Sequence, residues 1–191
     1  MNELTTHKEL CRNFAGLFQY PNEHVSEHAK QCLLGLKEVD SKAVTSLESF
    51  TAFVESNQSS RIEEAFTAAF DLQPVCHPYI GYQLCGESQQ RTMFMLKLRE
   101  LYRQFDFEPG NELPDHIAEV LRFVGSINDC DCRDEIIRDG LLPALDKLTQ
   151  GIENKGNPYL GLLFSLQNFL AGTTYSGFEQ KSTEREKECL S

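Results

Sequence analysis

The stretch "SSRIEEAFTAAFDLQPVCHPYIGYQLCGESQQRTMFMLKLRELYRQF", residues 59–105, reads as helix, break, helix. Ile62, Phe66, Ala69 and Phe70 recur at helical spacing. Ser60 with Glu63 three residues later is a capping-box pattern. After the break, Phe94, Leu98, Leu101, Tyr102 and Phe105 form a second stripe. Glu87 and Ser88 open that helix, and a carboxylate suits its positive end. Between the two helices, "DLQPVCHPYIGYQLCG" has two prolines, two glycines and neither period. It reads as a loop of about a dozen residues, a length that in compact domains is usually functional or disordered. Val75, Tyr79, Ile80, Tyr82 and Leu84 are too apolar for a solvated linker. The loop is therefore expected to pack on the helices and shape a surface.

The helical period extends outward in both directions. Thr6 and Glu9 form a capping box ahead of Leu10, Phe14, Leu17 and Phe18, and Pro21 ends that helix. Val25, Ala29, Cys32, Leu33 and Leu36 make a further stripe, and Val44, Leu47, Phe50 and Val54 another. Downstream, "EPGNELPDH" is a second loop that feeds Ile117, Val120, Leu121 and Val124. Ile136, Leu141, Leu145, Leu148 and Ile152 follow, with Pro143 expected to kink or break the helix. Asn157 and Pro158 have the chemistry of N-cap and first helical residue. The helix they start is apolar almost all round, which places it centrally. Residues 173–191 are polar and charged and read as a flexible tail. No strand alternation and no repeat appear. The expected fold is all-α, a single-domain helical bundle of roughly eight or more helices over residues 1–172.

Of 191 residues, 18 are Lys or Arg and 29 are Asp or Glu, a net charge of −11. That excess repels nucleic acid and anionic membranes and favours a basic peptide as partner. It also serves solubility alone. The seven cysteines are odd in number, and no secretory signal precedes them, so a disulfide framework is not expected. The longest apolar run, "PYLGLLFSLQNFLAG", is too short to span a bilayer. These features together read as cytoplasmic, without stable membrane insertion.

Two clusters invite chemistry. Cys76, His77 and Cys85 are close in sequence, and Cys130 and Cys132 add two thiols. Neither set has the paired spacing of a zinc site. A thiol- or metal-dependent sensor or enzyme using Cys76, His77 and Cys85 is the alternative reading. No phosphate-binding glycine motif is present. In "ELPDH", Pro114 suits a helix start, and Asp115 can serve either the first-turn amides or an incoming cation. Arg91 sits four residues after Glu87 and can orient it.

Residues 64–125 resemble the nitrate-reductase assembly chaperones, the delta or NarJ-type subunits grouped with the TorD/DmsD-type maturation proteins of molybdenum enzymes. The segments carrying the resemblance are "AAFDLQP", "HPYIGYQLCGESQQRTM", "LRELYRQF", "NELPDHIAEVLRFVG" and later "NPYLGLLFSL". Gln89, Gln90 and Thr92 depart from the family's Arg-Asp and Gly. The resemblance implies a TorD-like chaperone that is not an enzyme and needs no cofactor or metal of its own. It implies as partner the catalytic subunit of a molybdopterin-dependent oxidoreductase, held through its N-terminal twin-arginine leader or remnant until the molybdenum cofactor is inserted. The chaperone itself would be a monomer or homodimer. Such a leader is basic at one end and apolar in the middle, so its receptor needs an apolar groove with carboxylates at one end. The candidate peptide-binding residues are Phe70, Asp71, Tyr79, Tyr82, Glu87, Ser88, Arg91, Leu113, Pro114, Asp115 and His116. Ile80 and Leu84 would add apolar surface, and Asp71, Glu87 and Asp115 would face the arginines.

Overall fold

A computed structural model describes residues 3–72 and 76–188, with side chains over 6–72 and 76–173. Among the described residues there are ten α-helices and no strand beyond one isolated bridge. The order is α1 (Glu3–Leu17), α2 (Val25–Leu36), α3 (Ser41–Ser56), α4 (Ser59–Phe70), α5 (Ile80–Cys85), α6 (Gln89–Gln104), α7 (Ile117–Val124), α8 (Cys130–Glu135), α9 (Leu142–Gly151) and α10 (Tyr159–Glu188). A π-helical turn, Ile136–Leu141, joins α8 to α9. The expected all-α bundle is the observed one.

The core forms where the apolar stripes meet. α10 packs along α3, α1 against α2 and α7, and α9 against α10. Leu162, Leu163, Leu166, Phe169 and Leu170 of α10 are all buried, which gives the last helix its central place. Gly161 lets α10 approach α3 closely, because a Cβ there would stand 2.6 Å from the Ser46 carbonyl oxygen. Ser165 is fully buried and donates to the Ala43 carbonyl at 2.8 Å. Asn157 caps α10 as expected, its Oδ1 accepting from the Tyr159 amide at 2.9 Å. The expected flexible tail over 173–191 falls where α10 continues to Glu188, and side chains past 173 lie outside the described residues.

Three local expectations are corrected. Thr6 does not start the first helix: α1 already includes Glu3, and Thr6 is buried within it. Ser60 does not cap α4. Gln58 holds that position without a side-chain bond, while Ser59 donates to Glu63. The loop after α4 contains α5, too short to show a period and carrying Gly81 inside it. Tertiary contacts sustain α5. Ile80 is buried, and Lys147 Nζ donates to the Gln83 carbonyl at 2.6 Å, a cation at the helix's negative end.

Pro143 does not break the rod of α8, the π turn and α9. A proline cannot donate and its ring crowds the carbonyl four residues back, here Asp139. The chain answers by widening: the Leu142 amide bonds to the Ile137 carbonyl, five residues back.

Candidate functional site

The loop after α4 and the "ELPDH" segment are 24 or more residues apart in sequence and meet as backbone. Tyr79 and His116 form the isolated antiparallel bridge. The Ile80 amide donates to the Asp115 carbonyl at 2.7 Å and the Ile117 amide to the Pro78 carbonyl at 2.8 Å. Tyr102 on α6 donates its hydroxyl to the Pro114 carbonyl at 2.8 Å.

Beneath this seam lies an ion pair. Arg91 Nε donates to Asp115 Oδ2 at 2.8 Å. The Asp115 side chain is 0% exposed and that of Arg91 9%. Arg91 also bonds Glu87, whose own side chain is 73% exposed. Its guanidinium lies 5.3 Å from the Tyr79 ring centroid and 5.7 Å from that of Tyr82. Burial opposes the charged form of Arg91, but the Asp115 bond and charge, with Glu87, hold its pKa above the ordinary value. Gly81 is required here, because a Cβ would meet Asp115 Oδ2 at 2.8 Å. Gly86 (φ 63°) makes the left-handed turn from α5 into α6, and Ser88 caps α6 by accepting from the Arg91 amide.

Asp115 is therefore placed to serve Arg91, not an incoming cation or the first-turn amides. The capping role belongs to His116, whose Nδ1 accepts from the Ala118 amide at 3.2 Å. Burial pushes the His116 pKa down, against the pull of Glu112, Glu119 and Asp115, which suits a neutral ring that accepts. Phe70 and Pro114 are buried as well. Phe70 packs in a cluster with Phe18, Phe66 and Tyr159. Ile80 points into the core, not the surface. Of the candidate residues, Asp71, Glu87 and Leu113 are exposed, and Tyr79, Tyr82 and Ser88 are half-buried.

An open groove of about 770 Å³ runs between the end of α1, the end of α4 and the seam. Asp71, His77, Tyr79, Glu112 and His116 line it together with Tyr20 and Asn22. Tyr79 donates to Glu112 Oε2 at 3.3 Å. Burial, then the Glu112 charge, raises its pKa. Tyr20 is 56% exposed and leans on the Phe66 ring at 5.6 Å. Buried Glu119 accepts from Arg122 at 2.7 Å and from the Gly110 amide at 2.9 Å, holding the far lip. Glu87, Tyr82 and Leu113 do not line this groove. Tyr20, Asn22 and Glu112 were not singled out from sequence. The signal for Tyr20 was an aromatic residue left outside the apolar stripe just before Pro21.

Cys76 is buried, with its thiol pushed up by burial, and His77 Nδ1 faces the Phe70 carbonyl at 3.2 Å. Among the described residues, no group of three or more His, Cys, Asp or Glu side chains is placed to hold a metal ion. No helix among them is long and apolar enough to cross a membrane.

The fold resembles a crystal structure described as that of a candidate redox enzyme maturation protein from Archaeoglobus fulgidus. The TM-score is 0.59 and the identity 19%, over 86% of this chain and 93% of that one. The chain has no match among curated proteins. The family model described as nitrate reductase delta subunit matches residues 36–165, well over half the chain and all of the seam, so the chain belongs to that family.

Proposed function

We propose that this protein is a maturation chaperone for the catalytic subunit of a molybdopterin-dependent, nitrate reductase-like oxidoreductase. In this reading it acts in the cytoplasm, as a monomer or homodimer, and catalyses no reaction. It holds the subunit's N-terminal segment, a twin-arginine leader or its remnant, and keeps the apoprotein competent for cofactor insertion. The observation that carries the reading is the groove. Most of its lining falls within the family match, aromatic rings line it, and Asp71 and Glu112 are exposed at its edge. Exposed carboxylates set approach and register for a basic segment, while ring contacts supply the affinity. Arg91 and Asp115 take no part in contact. They hold the Tyr79 wall in place.

The test is calorimetric titration of the full chain with the N-terminal peptide of the client's catalytic subunit. Binding is expected, and Asp71→Lys should weaken it about tenfold without changing the melting temperature. Wild-type affinity in both Asp71→Lys and Glu112→Lys would remove the groove from the reading.

A further inference from the structure

Lysine and arginine carry the same charge, so Asp71 and Glu112 alone draw both to the groove with similar strength. An aromatic face does not treat them alike. Guanidinium is planar, weakly hydrated and stacks on a ring, whereas ammonium is a compact, strongly hydrated charge. The molecule already uses that difference in its own seam. Arg91 is held by two carboxylates, Asp115 and Glu87, and its guanidinium lies 5.3 Å from the Tyr79 ring centroid and 5.7 Å from that of Tyr82.

The same components recur in the groove without a guanidinium among them. Tyr20 lines the groove and is 56% exposed. Its ring meets Phe66 at 5.6 Å and 73°, its hydroxyl donates to Glu63 Oε2 at 3.3 Å, and the next residue, Pro21, is buried. Glu63 is in turn held by Ser59, which donates to its Oε1 at 3.0 Å. Asp71 lines the groove as well. Desolvation, then the Glu63 charge and hydrogen bond, then the Asp71 charge, push the Tyr20 pKa up, so both carboxylates are felt at its hydroxyl. Among the described residues, neither Glu63 nor Asp71 has a lysine or arginine partner. The cation–π contacts there fall on Tyr79, Tyr82 and Phe107, none on Tyr20.

We infer that Tyr20 is the residue by which the groove selects arginine over lysine. An incoming guanidinium stacks on its ring, and Glu63 and Asp71 balance the charge. The inference rests on the reading that the groove holds a basic segment, and it adds which cation that segment must carry. The carboxylates set the attraction and Tyr20 sets the choice, so substitution separates the two roles.

The experiment is calorimetric titration of the full chain with two synthetic peptides. One has Arg-Arg ahead of Ser-Leu-Ala-Leu-Ala, and the other has Lys-Lys in that place. The wild type should prefer the arginine peptide by about fivefold. Tyr20→Leu should abolish the preference by weakening the arginine peptide alone. Tyr20→Phe keeps the ring and loses the bond to Glu63, so it should keep the preference. Asp71→Asn should weaken both peptides and leave their ratio. All three positions allow the fold to be checked by melting temperature, and Tyr20→Met, which still covers Phe66, decides the matter if Tyr20→Leu melts lower. Equal wild-type binding of the two peptides, or a preference that survives loss of the ring, overturns the role of Tyr20 and leaves the groove standing. A preference lost in Tyr20→Phe assigns the choice to the hydroxyl and Glu63 and likewise overturns it. Binding of neither peptide overturns the groove reading, and the role of Tyr20 with it.

Discussion

The contact between α3 and α10 and the seam between residues 78–91 and 113–117 are built from different materials. The first is almost wholly apolar, with one glycine for close approach and one serine whose hydroxyl is paired. The second buries a guanidinium, a carboxylate and an imidazole, each satisfied by a named partner. Apolar contacts fail gradually, since each lost methylene removes its own share. A buried ion pair fails as a unit, because either half alone is an uncompensated charge. The polar region is also the one carrying the motif segments that wall the groove. Arg91 and Asp115 are buried beneath the groove, while Asp71, Tyr79 and Glu112 line it.

This contrast can be broken or sharpened by measurement. Asp115→Ala strands the Arg91 guanidinium and should cost about 3–5 kcal/mol in chemical denaturation. An unchanged midpoint would mean that the seam is held by its backbone bridge alone. In the apolar contact, Leu166→Ala should cost about 2–5 kcal/mol by the same measurement, set by how far the cavity collapses. Gly161→Ala should cost about 1–3 kcal/mol, because the Ser46 carbonyl must be displaced. Both variants should leave peptide binding alone, whereas seam variants lower it.

Of the two regions compared, the seam should also respond to pH. The folded-state pKa of His116 lies below its ordinary value, so the unfolded chain binds its proton first as pH falls. Stability contributed by neutral His116 is full above about pH 6.5 and is lost as pH drops below it, at a slope of at most about 1.4 kcal/mol per unit. His28 is shifted the same way, so the diagnostic is the difference from His116→Asn, which can still cap α7 but does not titrate. Identical pH profiles for wild type and His116→Asn would sink the assignment. The smallest effect belongs to Ser165→Ala, about 1 kcal/mol for one unanswered carbonyl.

Much of the fold was legible because helical stripes are local. Six stripes in the sequence correspond to α1, α2, α3, α4, α6 and α7, and the all-round apolar character of α10 marks it as central. Helix starts were read less well. The pattern at Thr6 fits a cap but lies inside a helix that began earlier, and the π turn around Pro143 has no sequence signature beyond the proline itself. α5 is not legible because six residues show no period and its supports are remote, among them Lys147, 64 residues away from the carbonyl it binds. In the site, the pairing of Glu87 with Arg91 was legible at i, i+4. The pairing of Arg91 with Asp115 was not, since nothing local links residues 24 apart. That missing link reverses the role of Asp115, from a carboxylate facing a ligand to one holding the wall.

The π turn acts as a phase shifter. Each residue in a helix turns the chain by about 100°, so the extra residue absorbed between α8 and α9 sets which way every later side chain of the rod faces. Lys147 reaches the end of α5 only in the present phase. Deleting one residue from 136–141 would restore plain α-helix, swing Lys147 off the Gln83 carbonyl and release the end of α5. The angular setting of the rod thus governs the anchoring of α5, which follows directly on Tyr79 of the groove.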